Sequence, residues 1–304
     1  MKFSKYHALG NDYIVIDPKD LNEPLSEANI IAICDRHFGV GSDGILYGPD
    51  GSDSCDFSLR IFNPDASEAE KSGNGLRIFS RYLWDQSLVS HNEFTIQTKG
   101  GVVKSSVGNQ GLSVSVGMGK VRFTHESSGE PTPSANIIDV NGKEFTYYLA
   151  NVGNPHCVIL LDEVTPSFAK EYGSIIENDP RFRNRTNVQF VRIIDNSSIQ
   201  IEIWERGAGY TLASGSSSTA AASVANALGF CGSNVNVHMP GGIIKIKLNE
   251  QFFATMTGAV RKVCTGYISS EALSTLVLSC VADTLVLPYS IYEQATKGNL
   301  KVKR

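Results

Sequence analysis

The chain repeats itself. The stretch LGNDYIVID, residues 9–17, resembles VGNPHCVILLD, residues 152–162, and Asn11 and Asn154 are 154 − 11 = 143 residues apart. A second stretch, FNPDASEAEKSGNG (62–75), aligns without gaps on WERGAGYTLASGSS (204–217), where Ser72 and Ser214 are 214 − 72 = 142 residues apart. Two coincidental Gly-rich turns would leave the shared offset unexplained. A duplicated α/β unit explains it, and a duplication constrains the architecture more than any single segment does.

Inside each half, short strand-like runs alternate with turns. DYIVID (12–17), FSLRIF (57–62), GLSVSVGM (111–118), HCVILLD (156–162), IQIEIWE (199–205) and GIIKIKL (242–248) are rich in Val, Ile and aromatics, several with period-two alternation. Two stretches read as buried helices, 75–84 and 217–228; the second, SSTAAASVANAL, is small and apolar nearly all round and suits a helix enclosed by sheet. Asn141-Gly142 marks a hairpin turn. Residues 124–136, with two prolines and several serines, read as a loop or linker between halves.

Composition excludes some partners. A chain of 304 residues is long enough for two domains. A formal net charge of −4 without a long basic run argues against nucleic acid or an anionic membrane surface. No 18-residue apolar stretch exists, so nothing should span a membrane. The opening MKFSKY lacks the apolar core of a secretory signal. The six cysteines form no CxxC pair, which argues against zinc and a redox dithiol. The expected setting is a cytoplasm with reduced thiols.

The duplication gives Ser72 and Ser214 a physical setting. Each precedes a Gly-containing turn that feeds a helix N-terminus, where backbone N–H groups are unpaired and the helix dipole is positive. Two such termini facing each other would form an anion-binding cleft, with one serine on each side. That geometry suits removing a proton from one face of a carbon and returning one to the other. On these residues alone a helix cap is the simpler role, because serine is a preferred N-cap and a hydroxyl is a poor base.

The motifs taken together resemble the diaminopimelate epimerase family. They are FSKYHALGNDYIVID, RIFNPDASEAEKSGNG, NVGNPHCV, TNVQFV, WERGAGYTLASGSSSTAAA and MPGG, in order from Lys2 to about Tyr267. Proline racemases and phenazine-type isomerases share the architecture but resemble these motifs less. The resemblance implies an isomerase that interconverts LL- and meso-diaminopimelate by two-base proton transfer at Cα, as in lysine and peptidoglycan precursor synthesis. It implies no pyridoxal phosphate, other cofactor or metal, and a small-molecule partner; a homodimer is one assembly it allows.

With the duplication, the resemblance implies an α/β (α+β) fold of two pseudo-symmetric domains. Each is a mixed sheet curled around a central helix. The expected first domain is 1–118, with 263–304 returning to it, and the second is 119–262.

The family's two catalytic cysteines fall on Ser72 and Ser214. His156 and Glu205 fall on residues that orient the catalytic groups. Backbone amides of Gly73 and Asn74, and of Gly215 and Ser216, would hold the reacting carboxylate. Asn63, Asn154, Asn187 and Arg206 would grip the distal amino-acid end, with Arg206 suited to a bidentate carboxylate clamp. Asn11 matches a further substrate contact.

Four departures stand out. Both thiols are serines, through deliberate replacement or natural divergence, so a chain like this should be impaired in proton transfer. Gly44 stands where glutamine is common, which leaves room for another isomerase or racemase, or for an amino-acid-binding protein. Ser216-Ser217-Ser218 replaces a glycine and small residues. Residues 273–304 extend past the usual end, and their apolar character favours packing on the body.

Overall fold

The computed structural model describes residues 1–90, 92–124 and 132–273. The two halves follow the same path. The first runs β1 (Lys2–Ala8), β2 (Asn11–Ile16), α1 (Glu27–Cys34), β3 (Ile45–Asp50), β4 (Phe57–Phe62), β5 (Glu68–Ala69), α2 (Gly73–Asp85), β6 (Phe94–Thr98), β7 (Gly101–Gly108) and β8 (Ser113–Lys120). The second begins with an extra strand, β9 (Asn136–Val140), and continues through β10 (Lys143–Asn151), β11 (Pro155–Leu160), α3 (Pro166–Glu177) and β12 (Asn187–Asp195). It then runs β13 (Ser198–Glu205), β14 (Gly209–Thr211), α4 (Gly215–Ala227), β15 (Asn234–Met239), β16 (Gly242–Leu248) and β17 (Phe253–Ala259). The ends of α2 and α4 are related by 215 − 73 = 142 and 227 − 85 = 142 residues.

Strand pairing repeats as well. β2 lies parallel to β3 and β4 to β6, as β11 lies parallel to β12 and β13 to β15; the other ladders are antiparallel. The sheet is therefore mixed, as expected. β8 pairs with β17 and joins the halves. A final strand, β18 (Arg261–Tyr267), pairs with β1, taking the place there that β9 takes beside β10.

The sheet encloses α2 and α4 because both present apolar atoms on nearly every side. Leu76, Ile78, Phe79 and Leu83 of α2, and Ala220, Ala221, Ala222, Val224 and Ala225 of α4, are fully buried in one cluster shared by the halves. Alanines let the strands approach α4 closely. Truncating Phe79 to alanine would cost about 3–5 kcal/mol in such a setting. The shorter faces of α1 and α3 cover separate clusters, around Ile14, Ile30 and Ile33 and around Phe145, Phe168 and Phe190. Outward positions alternate with these: in β16, Ile244, Ile246 and Leu248 are buried while Ile243, Lys245 and Lys247 are exposed.

The structure refines several boundaries. Both central helices begin two residues earlier than the apolar pattern suggests, because their first turns are glycine and polar residues held by a serine cap. Asn141 and Gly142 both have positive φ, 55° and 79°, the requirement of a two-residue hairpin turn between β9 and β10. Of the expected linker 124–136, residue 136 already starts β9 and residues 125–131 lie outside the described residues. Of the expected tail packing, residues 274–304 also lie outside them; Leu273 accepts a hydrogen bond from Asn29 on α1. No helix among the described residues is long and apolar enough to cross a membrane.

Candidate active site

The helix starts are built alike. Ser72 and Ser214 both have extended backbone, with φ of −135° and −142°, and each caps the helix that follows. Ser72 Oγ accepts from the Gly75 N–H at 3.0 Å, and Ser214 Oγ from the Ser217 N–H at 3.4 Å. The preceding amides, at Gly73 and Asn74 and at Gly215 and Ser216, have no intrahelical carbonyl to bond. The two starts abut. A Cβ on Gly215 would lie 3.7 Å from the Gly73 Cα and 2.7 Å from the Met256 sulfur. A Cβ on Gly73 would lie 2.9 Å from the Met256 methyl. A Cβ at either position would push the end of the Met256 side chain aside.

The partners of the two serines differ. Ser214 Oγ donates to Glu205 Oε2 at 3.0 Å. Burial pushes the Glu205 carboxyl up from its ordinary range, against the Ser214 hydrogen bond that pulls it down. Ser72 Oγ shares a 3.2 Å hydrogen bond with the Tyr13 hydroxyl. Burial pushes that phenol up to about 12. One serine thus faces a carboxyl group and the other a phenol, so their proton-transfer capacities are unlike despite matched backbones.

Asn11 and Asn74 form one pair: Asn74 Nδ2 donates to Asn11 Oδ1 at 3.0 Å, and Asn11 Nδ2 donates to Asp43 Oδ2 at 2.8 Å. Asn154, His156, Asn187 and Arg206 form another group, beside the Glu205–Ser214 bond. His156 is fully buried, pairs with Asn187 across the parallel β11–β12 ladder, and shares its Nε2 with Asn154 Oδ1 at 2.9 Å. Asn187 Nδ2 donates to the Pro155 carbonyl at 2.8 Å, while its Oδ1 accepts from the Arg206 N–H at 3.0 Å. The Arg206 side chain is exposed and donates to the Asn184 carbonyl at 3.0 Å. Among the described residues it makes no ion pair, with Glu205 or any other acid. Asn63 closes its own turn by donating to Ser67 Oγ at 2.9 Å.

Sequence reasoning overlooked Tyr13, Glu177 and Arg77. Glu177, at the end of α3, is 4% exposed. Its carboxylate accepts from Trp204 Nε1 at 2.7 Å, from the Gly207 N–H at 2.9 Å and from Arg185 Nη1 at 3.0 Å. It thereby fixes the turn carrying Arg206. Gly44 is also more than a lost contact. A Cβ there would collide with the Phe62 carbonyl and lie 2.7 Å from the Tyr13 ring, so the ring that reaches Ser72 requires the glycine. In the serine run after Gly215, Ser217 accepts from Gln189 Nε2 at 3.0 Å and Ser218 donates to the Ser214 carbonyl at 2.7 Å. Among the described residues no three His, Cys, Asp or Glu side chains gather as a metal site would require.

A duplicated mixed sheet wrapped around two central helices with abutting N-termini defines the fold class. A probable proline racemase from Agrobacterium radiobacter shares it with a TM-score of 0.66 at 14% identity, over 88% of this chain and 92% of that one. A methylitaconate-delta-isomerase shares it with a TM-score of 0.63 at 12% identity, over 93% and 99%. Identities this low speak for the fold alone. Residues 3–124 and 148–263 match the family model described as diaminopimelate epimerase. "Diaminopimelate epimerase 2" of Nostoc sp. is 54% identical over 283 residues, covering 91% of this chain and 99% of the relative. The diaminopimelate epimerase of Caldanaerobacter subterraneus is 38% identical over 277 residues, covering 88% and 99%. The chain belongs to the diaminopimelate epimerase family, a family of isomerases.

Proposed function

We propose that this chain binds diaminopimelate between its halves, 1–118 with 263–304 on one side and 119–262 on the other. In this reading it interconverts the LL and meso stereoisomers by cofactor-independent proton transfer, slowly because serine occupies both transfer positions. The observation that carries the reading is the pair of equivalent serine caps on two abutting helix starts. One carboxylate of the substrate takes the free amides of Gly73, Asn74, Gly215 and Ser216. As Cα loses its proton, negative charge grows on that carboxylate, and the fixed N–H dipoles stabilise it. Arg206, without an acidic partner among the described residues, takes the distal carboxylate, with Asn154 and Asn187 beside it; Asn11 and Asn63 complete the grip.

Ser72 and Ser214 stand on opposite faces of that carbon. A thiol in their place could ionise and act as base; a hydroxyl is a far weaker acid, and its alkoxide is scarce at neutral pH. Glu205 can draw on the Ser214 proton, but Tyr13 cannot do the same for Ser72. His156 orients the Asn154 amide. The capping bonds favour one further reading, an amino-acid-binding protein in which both serines only close their helices.

Titration calorimetry with meso-diaminopimelate and with lysine, which lacks the distal carboxylate, tests the ligand. The proposal expects diaminopimelate to bind at least tenfold more tightly, the worth of one charged hydrogen bond being about 1.5–3 kcal/mol. Equal affinities, or no binding of either, would reject it.

A further inference from the structure

Arg77 lies on α2, one turn past its first residue, and no part of it reaches solvent. Its Nη2 donates to Asn74 Oδ1 at 2.5 Å and its Nη1 to the Ala259 carbonyl at 3.5 Å, while its Nε is buried without a partner. Among the described residues no carboxylate pairs with it. Burial alone lowers its pKa, to about 10, so it is a cation at neutral pH. The fold makes room for it: a Cβ on Gly258 would collide with Nη1. An unpaired interior cation is costly, and structural arginines in cores are normally matched by an acid.

The guanidinium also sets the polarity of its neighbours. Arginine has only donors, so Asn74 must turn its oxygen toward Arg77 and its Nδ2 toward Asn11. Asn11 must then accept from Asn74 and donate to Asp43, as observed. One buried cation thus orients two side chains at the start of α2.

We propose that Arg77 is the fixed counter-charge of the anion cradle: a positioning residue that holds Asn74 and Asn11 in register and whose uncompensated charge is matched by the carboxylate bound at the two helix starts. This rests on the reading of the helix starts as a carboxylate site. The positive end of α2 and the guanidinium lie on the same side of that anion, so their fields add.

Inorganic sulfate is the probe, because it needs no distal grip. Amide NMR signals of Gly73 and Gly215 are followed during sulfate titration of the parent, Arg77→Lys and Arg77→Met, alongside melting temperatures without sulfate. The expected result is saturable shifts of both amides in the parent, with affinity lower by at least about tenfold in Arg77→Met, since a unit counter-charge is lost. Arg77→Lys should retain part of it. The sulfate-free melting temperature of Arg77→Met should be unchanged or higher, since an apolar isostere relieves an unpaired charge. Arg77→Gln serves the same purpose if Arg77→Met does not fold. Equal sulfate affinity in the charge-removed variant, or amides that ignore sulfate in the parent, would overturn the proposal. Arg77-dependent sulfate binding in a protein that ignores diaminopimelate would reject the substrate reading and leave Arg77's role standing.

Discussion

Ser115 on β8 and Thr257 on β17 face each other with their hydroxyl oxygens 2.7 Å apart, and they are 257 − 115 = 142 residues apart. The same number separates Ser72 from Ser214. The pseudo-twofold relating the halves therefore passes through this hydroxyl pair, and Met256, next to it, is the side chain against which both helix starts pack. Symmetry places the two serines alike; Tyr13 and Glu205 then make them chemically different.

That difference has a signature in pH. Burial raises the Glu205 pKa, so its contribution to stability is present below the unfolded value and is lost as pH rises through the folded value. Glu205→Gln removes this loss. Its melting temperature relative to the parent should climb between about pH 4, the ordinary glutamate range, and pH 8. A difference that stays flat with pH would mean that Glu205 titrates normally.

Glu177 should matter more than its place at a helix end suggests. Glu177→Ala leaves the Trp204 Nε1 and Gly207 N–H donors without an acceptor. The expected cost is about 2–4 kcal/mol, from two unsatisfied donors, measured by denaturant unfolding. A loss below half a kilocalorie, on the order of an ordinary surface change, would show that water replaces the carboxylate.

Gly44→Gln should not restore anything. The added Cβ meets the Phe62 carbonyl and the Tyr13 ring, so the variant should be destabilised by about 1–3 kcal/mol, as overpacked sites are. The losses of Gly44→Gln and Tyr13→Ala taken singly should sum to more than the loss of the double variant, because the two sites share one space. An undiminished melting temperature in Gly44→Gln alone would contradict the packing described.

Arg206→Ala should weaken diaminopimelate by about 1.5–3 kcal/mol, the worth of a hydrogen bond to a charged group. Lysine, lacking the distal carboxylate, should lose little. Calorimetry on both ligands decides; equal losses would remove Arg206 from the distal clamp.

Much of this architecture can be read in the sequence because the duplication is written in residues that turns cannot do without. The paired Asn-containing and Gly-containing stretches give the two halves, and apolar composition gives α4 as a helix inside the sheet. Ser72 and Ser214 are legible as caps, and the structure makes them caps. What stays hidden is tertiary. Tyr13 reads as an ordinary strand residue until β2 brings it to Ser72. Arg77, between Leu76 and Ile78, carries no signal of its own in a helix read as buried, until the fold encloses its guanidinium beside Asn74. Glu177 carries no signal in the sequence until α3 packs on Trp204, whose ring would meet even a Cβ at Gly173 within 2.5 Å. Gly44 reads as the loss of one polar contact because the aromatic ring that fills its space is thirty-one positions upstream, 44 − 13 = 31.

The central claim is that Ser72 and Ser214 occupy the two proton-transfer positions, and α-proton exchange in D₂O measures it directly. LL- and meso-diaminopimelate are incubated with the parent, each single Ser→Cys variant and the Ser72→Cys/Ser214→Cys pair, and loss of the Cα proton signal is followed by NMR. The account predicts negligible exchange in the parent, little in either single variant, and clear exchange with inversion in the double variant, because inversion needs a base on one face and an acid on the other. Brisk exchange by the parent, or none by the double variant, would contradict it.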